Sequence, residues 1–402
     1  MNAHNGRLSA LIALFATVAL IGGSPAFGWG RNTNCLLVRP HRSGDIAAIA
    51  AAHGMTIEDG IGEEGYWLLR CGTRGASETL ASLQADSSVE DASPDGVVVI
   101  PEITAQLAFA FDAGPTPNGY TNQSALSQVN LGSSHWRATG HGVVVAVIDT
   151  GVNANHPDLV GHCTSGYNAI DPCNPPDDLP DGQTGGYGVL DAGAGHGTMV
   201  AGVIAVVAPN ARIMPIKALA ADGSGNESDV IRGILWAVRN GADVINMSFG
   251  SPSSSPALRA AVRYAYRSGV VVVASAGNTG DNQPHYPAWL PQVISVASVE
   301  ENNIKSPYSS YAPSVSLVAP GTGIRSTYWD GGYASWSGTS FAASFVSGAA
   351  ALVRELEPQG GANRVARYLT RTATSVNLAN PEFAGLLGDG LLNIEKAVRR
   401  AD

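Results

Sequence analysis

The sequence predicts an α/β protein with a mostly parallel sheet and helices on both faces, preceded by a small α+β unit. From about residue 129 onward, short and nearly continuous runs of β-branched residues recur, which is typical of parallel strands buried on both faces. Segments with helical apolar spacing lie between these runs, in the alternation that βαβ units produce. Before residue 101 the elements are fewer, and their order is typical of a ferredoxin-like split β-α-β sandwich.

The composition is that of a tightly packed globular protein. Charged residues make up 14% of the 402 residues and glycine occurs 48 times, so charge is scarcer and glycine commoner than usual. These values exclude a disordered chain and a coiled coil, and the glycines keep no collagen period. The net charge of −10 predicts no nucleic-acid partner, because phosphate binding needs clusters of Lys and Arg.

The first 28 residues are interpreted as an export signal. Arg7 precedes an apolar run at residues 8–21, and small residues follow it, which is the pattern of a secretory signal peptide. Cleavage after Ala26 and cleavage after Gly28 both remain open. The run is short for a bilayer core of about 30 Å, and an uncleaved membrane anchor is the alternative. We expect a secreted or extracytoplasmic protein without stable membrane insertion after signal cleavage.

Residues 34–100 predict the small α+β unit. Its strands are predicted at residues 35–39, 65–71 and 97–100, and its helices at 44–53 and 77–85. In a ferredoxin-like topology, the first strand pairs antiparallel with the third. If the strand at residues 65–71 takes that third place, Cys35 at the start of one strand would lie beside Cys71 at the end of the other. Four cysteines allow three pairings. Because export favours disulfides, we expect one between Cys35 and Cys71 and a local one between Cys163 and Cys173, which share a polar loop.

Residues 101–128 are rich in Pro and Gly and predict a linker. Buried strands of the larger α/β domain are predicted at residues 143–148, 212–216, 244–246, 270–274 and 293–296. Helices are predicted between them, notably at residues 197–206, 228–240 and 256–268.

Four polar residues stand at strand ends or helix starts, each near glycine. Asp149 follows an apolar strand, and the carboxyl edge of an α/β sheet is where such proteins place their sites. His196 opens one helix and Ser340 opens another that should be buried. A serine hydroxyl needs a base to take its proton, histidine can be that base, and a carboxylate orients the imidazole. Asn278 follows a strand and offers an N–H donor for an oxyanion.

Taken singly, these residues have ordinary structural interpretations: a turn acid, a structural histidine, a helix N-cap and a turn asparagine. Together they favour nucleophilic catalysis. The segments that carry them are AVIDTGV (146–152), GHGTMVAGVIA (195–205), INMSFG (245–250), ASAGN (274–278) and SGTSFAASFVSG (337–348). In these motifs and their order, about residues 129–400 resemble the subtilisin-like serine peptidases, in which Asp, His and Ser follow one another in that order.

The resemblance implies a role for each matching residue. Asp149 would orient the imidazole, His196 would be the base and Ser340 the nucleophile. Asn278 and the Ser340 backbone N–H would bind the oxyanion. Substrate would be bound by five residues, with the first three pairing with extended peptide backbone: Ser248, Phe249, Gly250, Ala276 and Gly277. His285 would lie near the pocket for the side chain before the scissile bond, and a histidine facing solvent is the alternative.

The family's precursor organisation is also implied. Residues 29–100 would be an inhibitor-like propeptide, residues 101–128 a linker that holds the maturation site, and residues 129–402 the catalytic domain. The resemblance therefore predicts a secreted serine endopeptidase made as a self-processed zymogen. Its partners would be a protein or peptide substrate and its own propeptide, and we expect a monomer. The alternatives are a dedicated processing peptidase, a peptide cyclase and a non-hydrolytic peptide-binding protein on the same scaffold.

An insertion before His196 is rich in acidic residues. Calcium could bind such a loop, and a solvated acidic loop is the competing interpretation. We predict no cofactor and leave calcium unassigned. The acidic residues are Asp171, Asp177, Asp178, Asp181 and Asp191.

Overall fold

The structure is a computed structural model that describes residues 34–62, 64–105, 110–112, 114–182, 184 and 189–402. The predicted export signal, residues 1–28, lies outside the described residues. No helix in these ranges is long and apolar enough to cross a membrane.

The described elements fall into an N-terminal unit, a connecting segment and a main domain. The N-terminal unit contains β1 (Cys35–Pro40), α1 (Ile46–Ala52), β2 (Met55–Ile61), β3 (Tyr66–Cys71), α2 (Ala76–Gln84) and β4 (Val89–Pro94). The connecting segment contains β5 (Val97–Val99), α3 (Pro101–Thr104) and β6 (Phe111–Asp112). The main domain contains α4 (Ser124–Gln128), β7 (Val144–Asp149), β8 (Tyr167–Asn168), α5 (His196–Val207), β9 (Arg212–Lys217), β10 (Ser224–Asn226), α6 (Glu227–Arg239), β11 (Val244–Met247), α7 (Pro256–Arg267), β12 (Val271–Ser275), β13 (Val293–Val299), β14 (Leu317–Pro320), β15 (Ile324–Thr327), β16 (Tyr333–Trp336), α8 (Thr339–Leu356), α9 (Ala362–Arg371) and α10 (Ile394–Ala401).

The main domain confirms the predicted α/β class. Within the described residues, its largest sheet has seven strands in the order β14-β13-β12-β11-β7-β9-β8, and every neighbouring pair is parallel. Helices α5 and α8 pack together against this sheet, and α6 and α7 form a second packed pair. Nearly the whole length of α8 is buried, as its Ala- and Gly-rich sequence predicts.

The N-terminal unit has the expected ferredoxin-like arrangement. Its described strands form an antiparallel sheet in the order β2-β3-β1-β4. Leu36 and Val38 of β1 pack beneath α1 and α2, whereas Leu37 belongs to the large core that extends into the main domain. The alternation follows from the two-residue period of a strand. Strand β2 lies in a segment for which the sequence analysis predicted none.

The predicted disulfide between Cys35 and Cys71 is wrong in this structure, where all four cysteines are free thiols. The strands pair as expected, but Cys35 lies opposite Arg70. Residues that face each other across a ladder share a sheet face, so the one-residue offset turns Cys71 to the other face. Cys35 accordingly joins the large core and Cys71 the small one.

The predicted bond between Cys163 and Cys173 is also not formed. Cys163 packs against the large core and its backbone bridges to Ile213. Cys173 is exposed in a turn where its N–H donates to the Asp171 carboxylate.

The strand expected at residues 97–100 does not belong to the N-terminal sheet. As β5, it pairs antiparallel with β10 of the main domain. On its other side, Val99 exchanges two backbone hydrogen bonds with Gly250, with N···O distances of 3.0 and 2.9 Å. The connecting segment is therefore seated as an extended strand between two edges of the main domain.

We predict that Cys35 and Cys71 carry no disulfide between them, because their side chains point to opposite faces of one sheet. The full chain, unfolded in denaturant without reductant, should be alkylated at both cysteines, as mass mapping of the digested protein would show. The same protein treated first with reductant is the control. A crosslinked peptide pair containing both residues would contradict the prediction.

Candidate active site

The first pair of site residues joins the end of a strand to the start of a helix. Asp149 is the last residue of β7 and His196 the first of α5. His196 Nδ1 lies 2.7 Å from Asp149 Oδ1, and both side chains are fully buried. Thr150 donates its backbone N–H to the same oxygen, at 2.8 Å. The carboxylate is therefore held in place by the strand end and points at one nitrogen of the ring.

Glycine allows this close approach of helix and strand. A Cβ placed on Gly197 would stand 2.1 Å from the Gly151 carbonyl oxygen and 3.0 Å from the Asp149 Cβ. Any side chain at residue 197 would therefore push α5, and His196 with it, away from Asp149. Steric crowding therefore explains why glycine follows the histidine directly.

Asp178, from the acidic insertion, binds the first turn of α5. One of its oxygens accepts the Gly195 N–H, and the other accepts the N–H and hydroxyl of Thr198, with distances of 2.7–2.9 Å. Burial raises its pKa, and the nearby Lys217 charge acts in the opposite direction. A carboxylate at a helix N-terminus is favourably placed. In the same insertion, Asp191 accepts the backbone N–H groups of Asp181 and Gly182.

Ser340 is the second residue of α8, and Asn278 approaches the same helix start. The Asn278 side-chain oxygen accepts from both the N–H and the hydroxyl of Thr339, at 3.0 and 2.8 Å. This fixes the orientation of the amide, because only its oxygen can accept. The Asn278 Nδ2 group is left buried without a hydrogen-bond partner. A donor at the start of α8 is thus available to a negatively charged oxygen.

Glu102, in α3 of the connecting segment, lies between the histidine and the serine. The Ser340 hydroxyl donates to Glu102 Oε2 at 3.0 Å, and His196 Nε2 is 3.3 Å from the same oxygen. Glu102 is fully buried, and its Oε1 atom has no hydrogen-bond partner. The imidazole is therefore flanked by two carboxylates, and the serine hydroxyl points to Glu102.

The two carboxylates change the proton affinity of the ring. Burial lowers the pKa of His196, but the charges and hydrogen bonds of Asp149 and Glu102 outweigh it and raise the pKa to about 10. At neutral pH the ring is an imidazolium and has no lone pair with which to accept a proton. Trp336 and Phe341 pack against the ring with centroid separations of 5.6 and 5.8 Å.

The structure gathers the predicted residues around one point. Ser248 contributes its carbonyl oxygen, to which the Ser340 hydroxyl also donates at 3.3 Å. Gly250 pairs with the extended Val99. The Phe249 side chain belongs to the large core. On the opposite side, the N–H of Gly277 donates to the Thr339 hydroxyl at 3.2 Å, and Ala276 is buried beside it.

The sequence analysis did not identify Glu102 as a site residue. Its signal was weak: it is the only charged residue between Gly96 and Phe111, three positions after the end of β5. Among the described residues, no group of three or more His, Cys, Asp or Glu side chains is arranged to hold a metal ion.

The arrangement is suited to acyl transfer by a serine hydroxyl. The imidazole is bonded to the buried Asp149 carboxylate, and the imidazole and the serine hydroxyl meet at one Glu102 oxygen. An unpaired N–H donor lies at the start of the helix that carries the hydroxyl. The strand edges next to it already hold an extended chain. The class of protein that this geometry describes is a serine hydrolase whose substrates are extended polypeptides.

Comparisons with known proteins agree with this class. Residues 140–390 match the family model described as "Subtilase family". An alkaline protease of Alkalihalobacillus alcalophilus is 38% identical over 332 residues, covering 80% of this chain and 80% of that protein. Subtilisin Savinase of Lederbergia lenta is 39% identical over 284 residues, covering 68% of this chain and 97% of that protein. Fervidolysin of Fervidobacterium pennivorans, a keratinolytic enzyme related to subtilisin, has a TM-score of 0.74 at 26% identity, covering 94% of this chain and 62% of that one.

The chain belongs to the subtilase family and is a serine endopeptidase. The resemblance inferred from the sequence motifs is confirmed. The subtilisin-like fold, a parallel sheet with helices, is confirmed as well.

We predict that Glu102 keeps His196 protonated. In the full chain carrying Ser340→Ala, NMR titration of the ring should give a pKa far above the ordinary value of 6.5, and adding Glu102→Gln should lower it, because one flanking charge is lost. The ion pairs stabilise this arrangement fully below about pH 6.5 and lose that contribution as the pH rises through about 10. The exposed Glu78→Gln is the matched control. An unchanged His196 pKa in the Glu102→Gln protein would refute the prediction.

Proposed function

We propose that this endopeptidase is exported as a zymogen and cleaves peptide bonds through Asp149, His196 and Ser340, with Asn278 at the oxyanion. The observation that supports it best is that the Ser340 hydroxyl and His196 Nε2 lie within 3.3 Å of the same Glu102 oxygen. When that carboxylate leaves, the hydroxyl and the ring nitrogen face each other across the space it occupied.

The proposed chemistry then follows from the contacts of each residue. His196 Nε2 takes the proton of Ser340 as its oxygen attacks the substrate carbonyl, and Asp149 stabilises the resulting imidazolium. The developing oxyanion is met by Asn278 Nδ2 and by the backbone N–H of Ser340 at the start of α8. His196 next gives its proton to the departing amine. Water then attacks the acyl-enzyme in the same way and restores the serine.

We propose that residues 29–100 are a propeptide and that residues 101–128 are a linker containing the maturation site. The domain of residues 129–402 would be the catalytic part. Two features support inhibition by these segments. In the propeptide, β5 pairs with the strand edges that a substrate would need. In the linker, Glu102 contacts the Ser340 hydroxyl and His196 Nε2. The propeptide would leave after cleavage, and residues 1–28 would direct export.

A dedicated processing peptidase remains the second candidate, because the sites above would serve one partner as well as many. Cleavage of a panel of unrelated denatured proteins separates the two. Broad digestion supports a general endopeptidase, whereas cleavage of its own linker alone supports a dedicated processing peptidase.

We predict that Ser340→Ala yields an uncut precursor with the full length expected after signal removal, while the native chain releases a shorter product. The reason is that self-cleavage needs the serine hydroxyl. Intact-mass measurement of both proteins, purified in the same way, is the test, and Ser344→Ala on the same helix is a matched control. Normal maturation of the isolated Ser340→Ala protein would mean that cleavage is not autocatalytic.

We also predict that the cleaved propeptide binds more weakly as the pH rises. Asp95 lies where the proposed propeptide meets the main domain. Its carboxylate accepts hydrogen bonds from the N–H and hydroxyl of Ser228 at the start of α6, at 2.9 and 2.8 Å. Burial, reinforced by the nearby Glu227 and Asp229 charges, raises its pKa from 3.8 to about 7, although the Ser228 hydrogen bonds act against this. Binding therefore takes up a proton.

The contribution of Asp95 to the affinity should be greatest below about pH 4 and should be lost as the pH rises to about 7. Size-exclusion chromatography of the self-cleaved protein between pH 5 and 8 would measure the fraction still bound. Asp95→Asn should flatten this dependence. A bound fraction that rises with pH in the native protein would contradict the assignment.

A further inference from the structure

We propose that His285 is the specificity-determining residue of this site and restricts the residue before the scissile bond to short side chains such as Ala, Ser and Gly. This inference rests on the catalytic roles proposed above. It concerns the size of the substrate side chain, which neither the family nor the triad geometry decides.

The position of the substrate side chain follows from the two segments that flank Ser340. On one side, the Ser248 carbonyl accepts from the Ser340 hydroxyl, and Gly250 pairs with an extended chain. On the other side, Gly277 is bonded to the Thr339 hydroxyl, directly before Ser340. A peptide whose reacting carbonyl lies at the Ser340 hydroxyl must send the side chain of that residue between these two segments.

The His285 ring occupies this space. A Cβ placed on Gly250 would stand 2.1 Å from the ring Nε2, and one placed on Gly277 would stand 3.0 Å from the ring Nδ1. The two walls face each other without side chains, which by itself would leave a deep slot. The imidazole lies against both backbones and takes up the space between them.

The backbone around His285 holds the ring there. Tyr286 and Ser251 exchange two hydrogen bonds, with N···O distances of 2.8 and 3.0 Å. The carbonyl of His285 accepts the N–H of Trp289 at 3.0 Å. These bonds fix the backbone of His285 beside the two glycines, so a large substrate side chain has to displace the ring itself.

The surroundings of the ring favour its neutral form. Burial lowers the pKa of His285 to about 4, although the charges of Glu102 and Asp281 act in the opposite direction. Its Nε2 atom is buried and has no hydrogen-bond partner. A neutral ring offers no countercharge to Lys, Arg, Asp or Glu, whereas a serine hydroxyl can bond to the unpaired nitrogen. Short, uncharged side chains therefore fit this slot best.

The test compares mature native protein with His285→Ala on peptides that differ only in the residue before the scissile bond: Ala, Ser, Leu or Phe. The native protein should prefer Ala and Ser to Phe by about 100-fold in kcat/KM, and His285→Ala should raise kcat/KM for Phe by about 10–100-fold with little change for Ala, since pocket volume discriminates on this scale. The exposed His141→Ala is the matched control and should keep the native ratio.

If His285→Ala fails to mature, His285→Ser should shift the ratio in the same direction by a smaller factor. Cut sites of the native enzyme in a denatured protein, mapped by mass spectrometry, test the inference without any variant. Cleavage mainly after Leu, Phe or Lys, or a ratio that neither variant changes, would overturn it. A native protein that cleaves no peptide would instead refute the proposed function and is distinguishable from both outcomes.

Discussion

The site depends on two helices that begin at the same place and pack against each other. Helix α5 starts with His196 and α8 starts near Ser340, so their separation sets the distance between ring and hydroxyl. A Cβ on Gly348 would stand 2.6 Å from the Val207 side chain, which shows how closely the helices approach. Strand β7 ends beneath them and supplies Asp149. The geometry of the candidate site is thus a consequence of helix packing on a parallel sheet, where strand ends and helix starts share one edge.

This geometry places several groups that stabilise negative charge close together, and the connecting segment places the Glu102 carboxylate among them. Helix starts and the unpaired Asn278 amide favour a developing oxyanion, and the same surroundings accept the Glu102 carboxylate. With Glu102 present, the imidazole stands between two anions and holds its proton. The serine hydroxyl donates to a carboxylate. The inhibition proposed above would therefore be electrostatic, because an acidic side chain stands where transient charge would otherwise appear.

Most helices and strands could be predicted from the sequence, because each depends on the pattern of apolar residues within its own segment. The β-branched runs became β7, β9, β11, β12 and β13, and the helical spacing became α5, α6 and α7 with ends shifted by a residue or two. Two predictions failed for reasons that only pairing reveals. Cys35 and Cys71 lie on neighbouring strands, but a one-residue offset put them on opposite faces. The strand at Val97–Val99 pairs with β10 of the main domain and not with the N-terminal sheet, and its local sequence does not show which partner it takes.

The sequence by itself determined the α/β class, the family and the four polar residues, because glycine-flanked Asp, His, Ser and Asn at strand ends and helix starts form a pattern that can be read along the chain. Only the tertiary structure decided what stands between those residues. Glu102 reaches Ser340 across 238 positions of sequence, and His285 enters a slot bounded by Gly250 and Gly277. Neither contact has a local signature, because each arises where separately folded segments meet and depends on a register and a helix separation that packing alone sets.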